Sequence, residues 1–187
     1  MWRMCGYKWD ILQAFESYLR VMPEQVILVD ENDAERGVME KMEAHERGEL
    51  HRAFSVFIFN SAGEMLLQRR AEEKYHSGGL LTNACCSHPR PGEPVEAAAV
   101  RRLREEMGLN ADLRKKGTFI YKVGFENGLT EHELDHVFEG VTDGIPEPAS
   151  GEVSEYRWMT VEAIKKMISA QPEQFTAWFR IAMQKLY

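Results

Sequence analysis

The chain has 187 residues, of which 44% are hydrophobic and 28% charged, the ordinary balance of a globular domain with a sizeable core. Its formal net charge of −7 argues against nucleic acid as a partner, so any positive charge that binds a phosphate must be local. No apolar stretch approaches the roughly 20 residues of a membrane span, and the first residues lack the order of a secretory signal. Three cysteines, two of them adjacent, make no disulfide framework, and we expect a reducing, cytoplasmic setting.

The first half of the chain combines one helical pattern with several strand patterns. Apolar side chains at helical spacing predict a helix over residues 10–21, within an N-terminal extension (residues 1–24) that we expect to pack on the core. The polar segment 35–49 is ambiguous. Runs of β-branched and aromatic residues predict strands over 26–30, 53–60 and 65–70.

The second half begins with a glycine-containing loop over residues 74–81. Beyond it, apolar periodicity predicts helices over 95–107, 161–169 and 172–185, and strands over 118–125, 133–141 and 156–159. The elements follow no regular βαβ order. They therefore favour an α+β fold, with a mixed sheet sandwiched between helices, over a doubly wound parallel sheet.

The run Thr82-Asn83-Ala84-Cys85-Cys86-Ser87-His88-Pro89 carries the strongest chemical signal. Residues i and i+2 of an extended segment point to the same side, so Cys86 and His88 can face one pocket. A neighbouring helix N-terminus would lower the pKa of the Cys86 thiol and make it a useful acid or base. We interpret Cys85 as a small buried hydrophobe, because a disulfide between adjacent cysteines would be strained.

Other histidines and carboxylates form a second set of candidates. His45 and His51 lie six residues apart, and Glu131 and Glu133 stand two apart at the start of a strand. Together with His88 they would suit Zn, Mn or Fe or, less ideally, Mg. Each histidine taken separately is more often an ordinary core or surface residue. Spacing alone does not join the five groups into one site.

The helix over 95–107 carries Glu105 and Glu106 one turn after a cluster of arginines. The simpler interpretation is a solvated helix face with i, i+4 ion pairs. The functional interpretation places one glutamate on a Mg²⁺ ion that bridges to substrate phosphates. Basic residues elsewhere could clamp those phosphates, although each alone is more often a solvated charge. These are Lys41, Arg69, Arg70 and Lys74.

In order and spacing, these motifs resemble the type I isopentenyl-diphosphate Δ-isomerases of the Nudix superfamily. The resemblance covers about residues 25–179, and its most specific parts are the Cys86-Ser87-His88-Pro89 run and Glu131-His132-Glu133. It implies a Nudix-like catalytic domain over 25–187, a small prenyl diphosphate substrate, and a monomer or homodimer. The implied reaction interconverts isopentenyl and dimethylallyl diphosphate by protonation and deprotonation through a carbocation-like intermediate.

The resemblance also implies a role for each matching residue. The ligands of one divalent ion (Mn²⁺, Zn²⁺ or Mg²⁺) would be His45, His51, His88, Glu131 and Glu133. Cys86 and Glu133 would exchange protons with the substrate, Tyr121 would relay or orient a proton, and the ring of Trp178 would stabilise the cation. Glu106 and the main-chain carbonyl of Cys86 would hold Mg²⁺ with the diphosphate. The diphosphate would be bound by Lys41, Arg70, Lys74 and Arg102.

Two alternative functions remain at this point. A Nudix-type diphosphate hydrolase would carry a metal-binding carboxylate where this chain has Arg102, so that residue argues against diphosphate cleavage. A non-enzymatic module with a structural metal site would more often use four ligands, frequently cysteines. The segment 75–81 departs from the pattern of some family members and bears on the wall of the pocket. We therefore expect the isomerase.

Overall fold

Nine strands and four α-helices form most of residues 23–187, the part of the chain that the computed structural model describes. The strands are β1 (Gln25–Val29), β2 (Glu35–Glu40), β3 (His51–Phe59), β4 (Met65–Arg70), β5 (Leu81–Thr82), β6 (Cys85–Ser87), β7 (Arg114–Gly124), β8 (Thr130–Val141) and β9 (Val153–Met159). The helices are α1 (Lys41–Arg47), α2 (Val95–Met107), α3 (Val161–Ala170) and α4 (Ala177–Leu186), with a 3₁₀ turn at Pro172–Gln174. The predicted helix over 10–21 and its packing lie outside the described residues. None of the helices described is long and apolar enough to cross a membrane.

Strand β3 organises the sheet because it is buried along most of its length and pairs with several neighbours. It runs parallel to β8, with His51 opposite Glu133. It runs antiparallel to β6, with Ser55 opposite Cys86. Strand β7 is antiparallel to β8 and places Tyr121 opposite Glu133. These registers bring chemically useful side chains from four strands to one region.

Alternate residues of β3 contribute to two cores, one on each face of the sheet. Phe54, Val56 and Ile58 pack with Leu103 and other residues of α2. Phe57 instead packs with residues of α3 and α4. Each fully buried large side chain contributes roughly 1.5–3 kcal/mol to stability. The helices thus sandwich a mixed sheet, and the predicted α+β fold is confirmed.

The ambiguous segment 35–49 divides into β2 and α1. The side chain of Glu40 accepts a hydrogen bond from the backbone N–H of Glu43 and caps the first turn of α1. Gly48 has φ of 63° and ends the helix in the left-handed conformation that glycine adopts without strain. The two caps leave His45 in the last turn of α1, with its side chain buried.

The predicted helix over 172–185 is wrong at its start. Phe175 and Thr176 are extended, and they separate the 3₁₀ turn from α4. The backbone N–H of Thr176 donates to the carbonyl of Leu81 at 3.0 Å, and Phe175 bridges the same residue. Pairing with β5 therefore overrides helical spacing here, and α4 begins at Ala177.

Several strand boundaries also differ from the prediction. Strand β7 begins at Arg114 rather than 118, because its first residues pair with β8 while facing solvent and carry no apolar alternation. Strand β8 begins at Thr130 rather than 133, so Glu131 and Glu133 both lie within it, on one face. The short strands β5 and β6 were not predicted, although the extended conformation expected around Cys86 is present in β6.

Candidate active site and metal centre

A cavity of about 550 Å³ opens among the strand ends, and we call it the central cavity. Cys86 of β6, Tyr121 of β7, Glu133 of β8 and Trp178 of α4 all line it. Trp178 is only 3% exposed, and Cys86 is half-buried. The four side chains assigned to the chemistry by resemblance therefore face one space, although they come from four different elements.

In two histidines, one ring nitrogen makes a hydrogen bond to the backbone and the other is available to bind a ligand. Nδ1 of His45 lies 2.7 Å from the carbonyl oxygen of Lys41, and Nδ1 of His51 lies 2.8 Å from that of Glu49. A carbonyl only accepts, so Nδ1 carries a proton in both rings, and in the neutral ring Nε2 carries the lone pair. Both rings are fully buried, and within residues 23–187 neither Nε2 has a hydrogen-bond partner. Such buried nitrogens are suited to bind a metal ion.

Four of the predicted metal ligands form one group. Donor atoms of His45, His51, His88 and Glu133 all lie within 4.8 Å of one another. Nε2 of His88 is 3.0 Å, and Nε2 of His51 3.5 Å, from the same oxygen of Glu133. Burial lowers the pKa of His45 to about 4, so its ring is neutral, the form that binds metals. Three imidazoles and a carboxylate suit a divalent transition metal.

Tyr121 joins the two glutamates of β8. Its hydroxyl lies 2.6 Å from Oε2 of Glu133 and 3.0 Å from Oε2 of Glu131. Burial and the charge of Glu133 raise the pKa of Glu131 well above its usual range. Burial opposes ionisation of Glu133 as well, but the neighbouring imidazoles of His51 and His88 outweigh it and lower the pKa of that carboxyl.

The fifth predicted ligand, Glu131, falls in an adjoining group. Its donor oxygen clusters with His45 and His76, again within 4.8 Å. His76 is 7% exposed, lines the central cavity, and was missed by the sequence analysis. The sequence signal is a histidine two residues before a pair of glycines, and spacing alone does not connect it to a strand more than fifty residues later.

The surroundings of Cys86 contradict one expectation. Burial raises the pKa of its thiol, and the carboxylate of Glu106 adds to the effect, while Arg70 opposes it. The expected lowering by a helix N-terminus is wrong, because the part of α2 whose charge reaches Cys86 is its last turn. Nη1 of Arg70 lies 4.0 Å from Sγ. The thiol is therefore protonated at neutral pH.

All four residues predicted to bind diphosphate line the central cavity: Lys41, Arg70, Lys74 and Arg102. Lys74 and Arg102 share one carboxylate, that of Glu152. Arg69, another candidate cation, does not line the cavity; it pairs with Glu155 at 3.1 Å. Arg69 and Arg70 are neighbours on β4 and point to opposite faces.

Glu106 is buried beside the cationic groups of the cavity. One carboxylate oxygen accepts from Nη2 of Arg102 at 2.7 Å, and the other lies 3.4 Å from Nε2 of Gln68. Burial raises the pKa of Glu106, although the charge of Arg102 opposes the shift. Glu106 and Cys86 line the same cavity, which leaves a shared Mg²⁺ a prediction.

The face of Trp178 is occupied by a cation. The guanidinium carbon of Arg70 lies 5.2 Å from the centroid of the indole ring. Cation–π attraction of this kind is worth about 0.5–2 kcal/mol, and more where water is excluded. The ring that the resemblance assigns to a carbocation thus sits where a positive charge is stabilised.

Comparison with known proteins gives consistent matches. A family model described as NUDIX domain matches residues 49–179. A protein named isopentenyl-diphosphate Delta-isomerase from Pectobacterium atrosepticum is 55% identical over 162 residues, covering 87% of this chain and 90% of its own. A protein of the same name from Burkholderia multivorans is 48% identical over 164 residues, covering 88% and 93%.

Among solved structures, DR0079 from Deinococcus radiodurans matches with a TM-score of 0.73 at 22% identity, covering 88% of this chain and 99% of its own. A MutT protein from Methanosarcina mazei matches with a TM-score of 0.62 at 22% identity, covering 73% and 92%. At this identity the likeness shows the fold alone.

Proposed function

We propose that this chain, which belongs to the isopentenyl-diphosphate Delta-isomerase family and carries a NUDIX domain, interconverts isopentenyl and dimethylallyl diphosphate. The observation that carries the proposal is that Cys86 and Glu133 line one cavity together with Tyr121 and Trp178. This activity makes the chain an isomerase that moves a carbon–carbon double bond without cleaving the diphosphate.

The reaction needs one proton added to the substrate and another removed from a different carbon. Cys86 and Glu133 lie on β6 and β8, two strands that both pair with β3, and both face the cavity. The thiol holds a proton and the carboxylate is ionised, so the site begins with one acid and one base. Tyr121, 2.6 Å from Oε2 of Glu133, is placed to pass a proton to or from that oxygen.

A positive charge develops on the hydrocarbon part of the substrate during the reaction. The indole ring of Trp178 offers a face that already attracts the guanidinium of Arg70. A carbocation over an aromatic face gains about 2 kcal/mol or more when water is excluded. The near-complete burial of Trp178 supports such exclusion.

The donor set of the histidine group supports a resident divalent ion. Its ligands would be His45, His51, His88, Glu131 and Glu133. The buried Nε2 atoms of His45 and His51, which have no hydrogen-bond partner in the part of the chain that the structure describes, fit this role. An ion bound there supplies fixed positive charge beside Glu133 and lowers the basicity of the carboxylates. Nitrogen-rich donors favour Mn²⁺ or Zn²⁺ over Mg²⁺.

The diphosphate provides remote binding energy for a five-carbon chain that has few features of its own. Lys41, Arg70, Lys74 and Arg102 would bind it, with Mg²⁺ held by Glu106 and the main-chain carbonyl of Cys86. Carboxylates that pair with these cations, such as Glu152, would be displaced by the more highly charged substrate. A small charged substrate and the free thiols of Cys85 and Cys86 fit a cytoplasmic enzyme, acting as a monomer or homodimer.

The alternative of diphosphate hydrolysis is disfavoured by Arg102. A hydrolase would present a carboxylate at this position to bind catalytic metal ions. Here the guanidinium pairs with the buried Glu106 at 2.7 Å and with Glu152 at 3.2 Å. A cation in the middle of these carboxylates opposes the binding of several metal ions.

The test incubates the protein with isopentenyl diphosphate, Mg²⁺ and Mn²⁺, follows the allylic isomer by NMR, and measures released phosphate in parallel. Cys86→Ala and Glu133→Gln should each abolish turnover and leave the circular dichroism spectrum intact. Arg36→Ala, whose exposed guanidinium pairs with Asp30 outside the cavity, is the control that should retain activity. Phosphate release without allylic product would identify a hydrolase and overturn the proposal.

A further inference from the structure

Two groups of potential metal-binding atoms have His45 in common. One contains His51, His88 and Glu133, and the other contains His76 and Glu131. Nδ1 of His45 is used by the carbonyl of Lys41, so only Nε2 is free, and a ring nitrogen has one lone pair. His45 therefore cannot serve two ions at once. The two groups therefore overlap at one nitrogen, and the group of His76 and Glu131 adjoins the larger one.

We propose that His76 is a sixth ligand of this ion. The inference rests on the metal site of the proposed function and extends it. The complete set of protein donors is His45, His51, His76, His88, Glu131 and Glu133. Glu131 and His76 adjoin each other, with Oε1 and Nε2 only 3.1 Å apart, so an ion that draws in Glu131 also reaches His76.

The alternative role for His76, a hydrogen bond that orients Glu131, conflicts with the direction of the ring. Although Nε2 lies 3.1 Å from the carboxylate, it makes no hydrogen bond of acceptable geometry within residues 23–187. Nε2 of His45 and Nε2 of His51 also lack a hydrogen-bond partner within these residues. Buried polar atoms without partners are rare and call for a ligand. The three nitrogens share one explanation if all three bind the ion.

The ring of His76 is held firmly by aromatic neighbours. It stacks on Phe125 at 4.6 Å with an interplanar angle of 10°, and meets Tyr75 and Trp178 edge-on at 4.3 and 5.9 Å. Nδ1 lies 3.3 Å from the hydroxyl of Ser77, which leaves Nε2 for the ion. A ring packed on several sides keeps its donor nitrogen in place, as a ligand requires.

The backbone around His76 is equally constrained. Nη2 of Arg70 donates to the carbonyl of His76 at 3.4 Å, and Nη1 of Arg69 donates to that of Gly79 at 2.7 Å. At Gly78, an added Cβ would lie 2.4 Å from the carbonyl oxygen of Glu72, so only glycine fits. The segment 75–81, which departs from the pattern of some family members, is thus folded tightly against the donor group.

Six protein donors would fill an octahedron. That geometry suits Mn²⁺, whereas Zn²⁺ in proteins is usually four-coordinate. A filled shell leaves no position for water or substrate. The ion would then fix the two glutamates and their neighbours without touching the substrate.

The experiment counts water on the ion. Metal-free protein receives less than one equivalent of Mn²⁺. Water-proton relaxation then measures the exchangeable water on the bound ion, and electron paramagnetic resonance measures the affinity of the protein for Mn²⁺. The wild type should bind Mn²⁺ with no exchangeable inner-sphere water. His76→Phe keeps a ring stacked on Phe125 but offers no donor. It should gain one water and bind at least about tenfold more weakly, since loss of a ligand costs no less than loss of an outer partner.

Two further variants make the outcome decisive. His132→Ala removes the imidazole that lies between Glu131 and Glu133 on β8. The ring of His132 points to the other face of the strand and bonds the carbonyl of Gly48 at 2.9 Å, so the affinity for Mn²⁺ should not change. Glu133→Gln should weaken Mn²⁺ binding in any case. If Glu133→Gln weakens binding while His76→Phe retains affinity and gains no water, His76 is no ligand and the proposed function stands. If the wild type binds no Mn²⁺, the metal site of the proposed function fails as well.

Discussion

The hydroxyl of Tyr121 lies 2.6 Å from Oε2 of Glu133, and the two residues are directly opposed in the antiparallel pair of β7 and β8. The same hydroxyl is 3.0 Å from Glu131. One proton thus serves two buried carboxylates that carry different pKa shifts. The register of β7 and β8 therefore places a proton donor on the candidate catalytic base.

Tyr121→Phe should lower kcat about 100-fold, because it removes the group that passes a proton to Glu133. KM should change little, since no cationic residue of the cavity is altered. Steady-state kinetics on isopentenyl diphosphate measures both constants. Retained Mn²⁺ binding by the variant shows that the glutamates are still in place, and an unchanged kcat would remove Tyr121 from proton transfer.

Arg70→Ala and Arg69→Ala form a matched pair on opposite faces of β4. Arg70 is buried in the central cavity, so its loss should lower kcat/KM by about 10–100-fold, the equivalent of about 1.5–3 kcal/mol for bonds to a charged group. Arg69 pairs with the exposed Glu155, bonds the carbonyl of Gly79 and does not line the cavity, so its loss should lower kcat/KM much less. Binding of inorganic diphosphate by calorimetry gives an independent readout. Equal losses in both variants would contradict the assignment of Arg70.

Removal of divalent ions by a chelator should abolish activity and lower the melting temperature while the chain stays folded. Glu131 and Glu133 are buried together, so without bound positive charge it is unfavourable for both to be ionised. An ion at 100 times its Kd stabilises the folded state by about 2.7 kcal/mol. Calorimetric scans with and without Mn²⁺ measure the difference. Full activity after exhaustive chelation would contradict a metal-dependent site.

Because of the buried His136, the free energy of unfolding should fall in mild acid. Burial lowers its pKa, and the charge of Lys115 adds to this, although Asp33 lies 3.1 Å away. Below the ordinary pKa of histidine the unfolded chain binds a proton that the folded chain lacks, so the free energy of unfolding falls as pH falls. The slope from one such group is at most about 1.4 kcal/mol per pH unit. Urea unfolding at pH 7.5 and 5.5 should show a smaller loss for His136→Asn than for the wild type, since metal loss is common to both.

Gly78→Ala should destabilise the protein by about 1–3 kcal/mol and weaken Mn²⁺ binding. The added Cβ would meet the backbone of Glu72 at 2.4 Å, so the segment that carries His76 must shift. Gly151→Ala is the control, because nothing lies within 4 Å of its Cβ position. Urea unfolding and Mn²⁺ titration measure both effects. A Gly78→Ala protein as stable as the control would show that the close contact is relieved at no cost.

Local patterns of the chain predicted most of the fold. The central strand appears as a run of β-branched and aromatic residues, and α2 as an apolar stripe ended by Gly108. Helical periodicity predicted the wrong conformation where strand pairing sets it instead. Phe175 and Thr176 are extended because they bond to β5, a contact more than ninety residues away in sequence.

The fold class, the family resemblance and the proximity of a thiol and an imidazole can be read from the chain alone, because the patterns that indicate them are local. Which donor atoms come together depends on contacts between distant segments. The parallel register of β3 and β8 sets His51 beside Glu133, and the caps of α1 bring in His45. A tightly folded loop adds His76. The energies that fix these positions come from strand pairing and core burial between distant segments, and no local pattern records them.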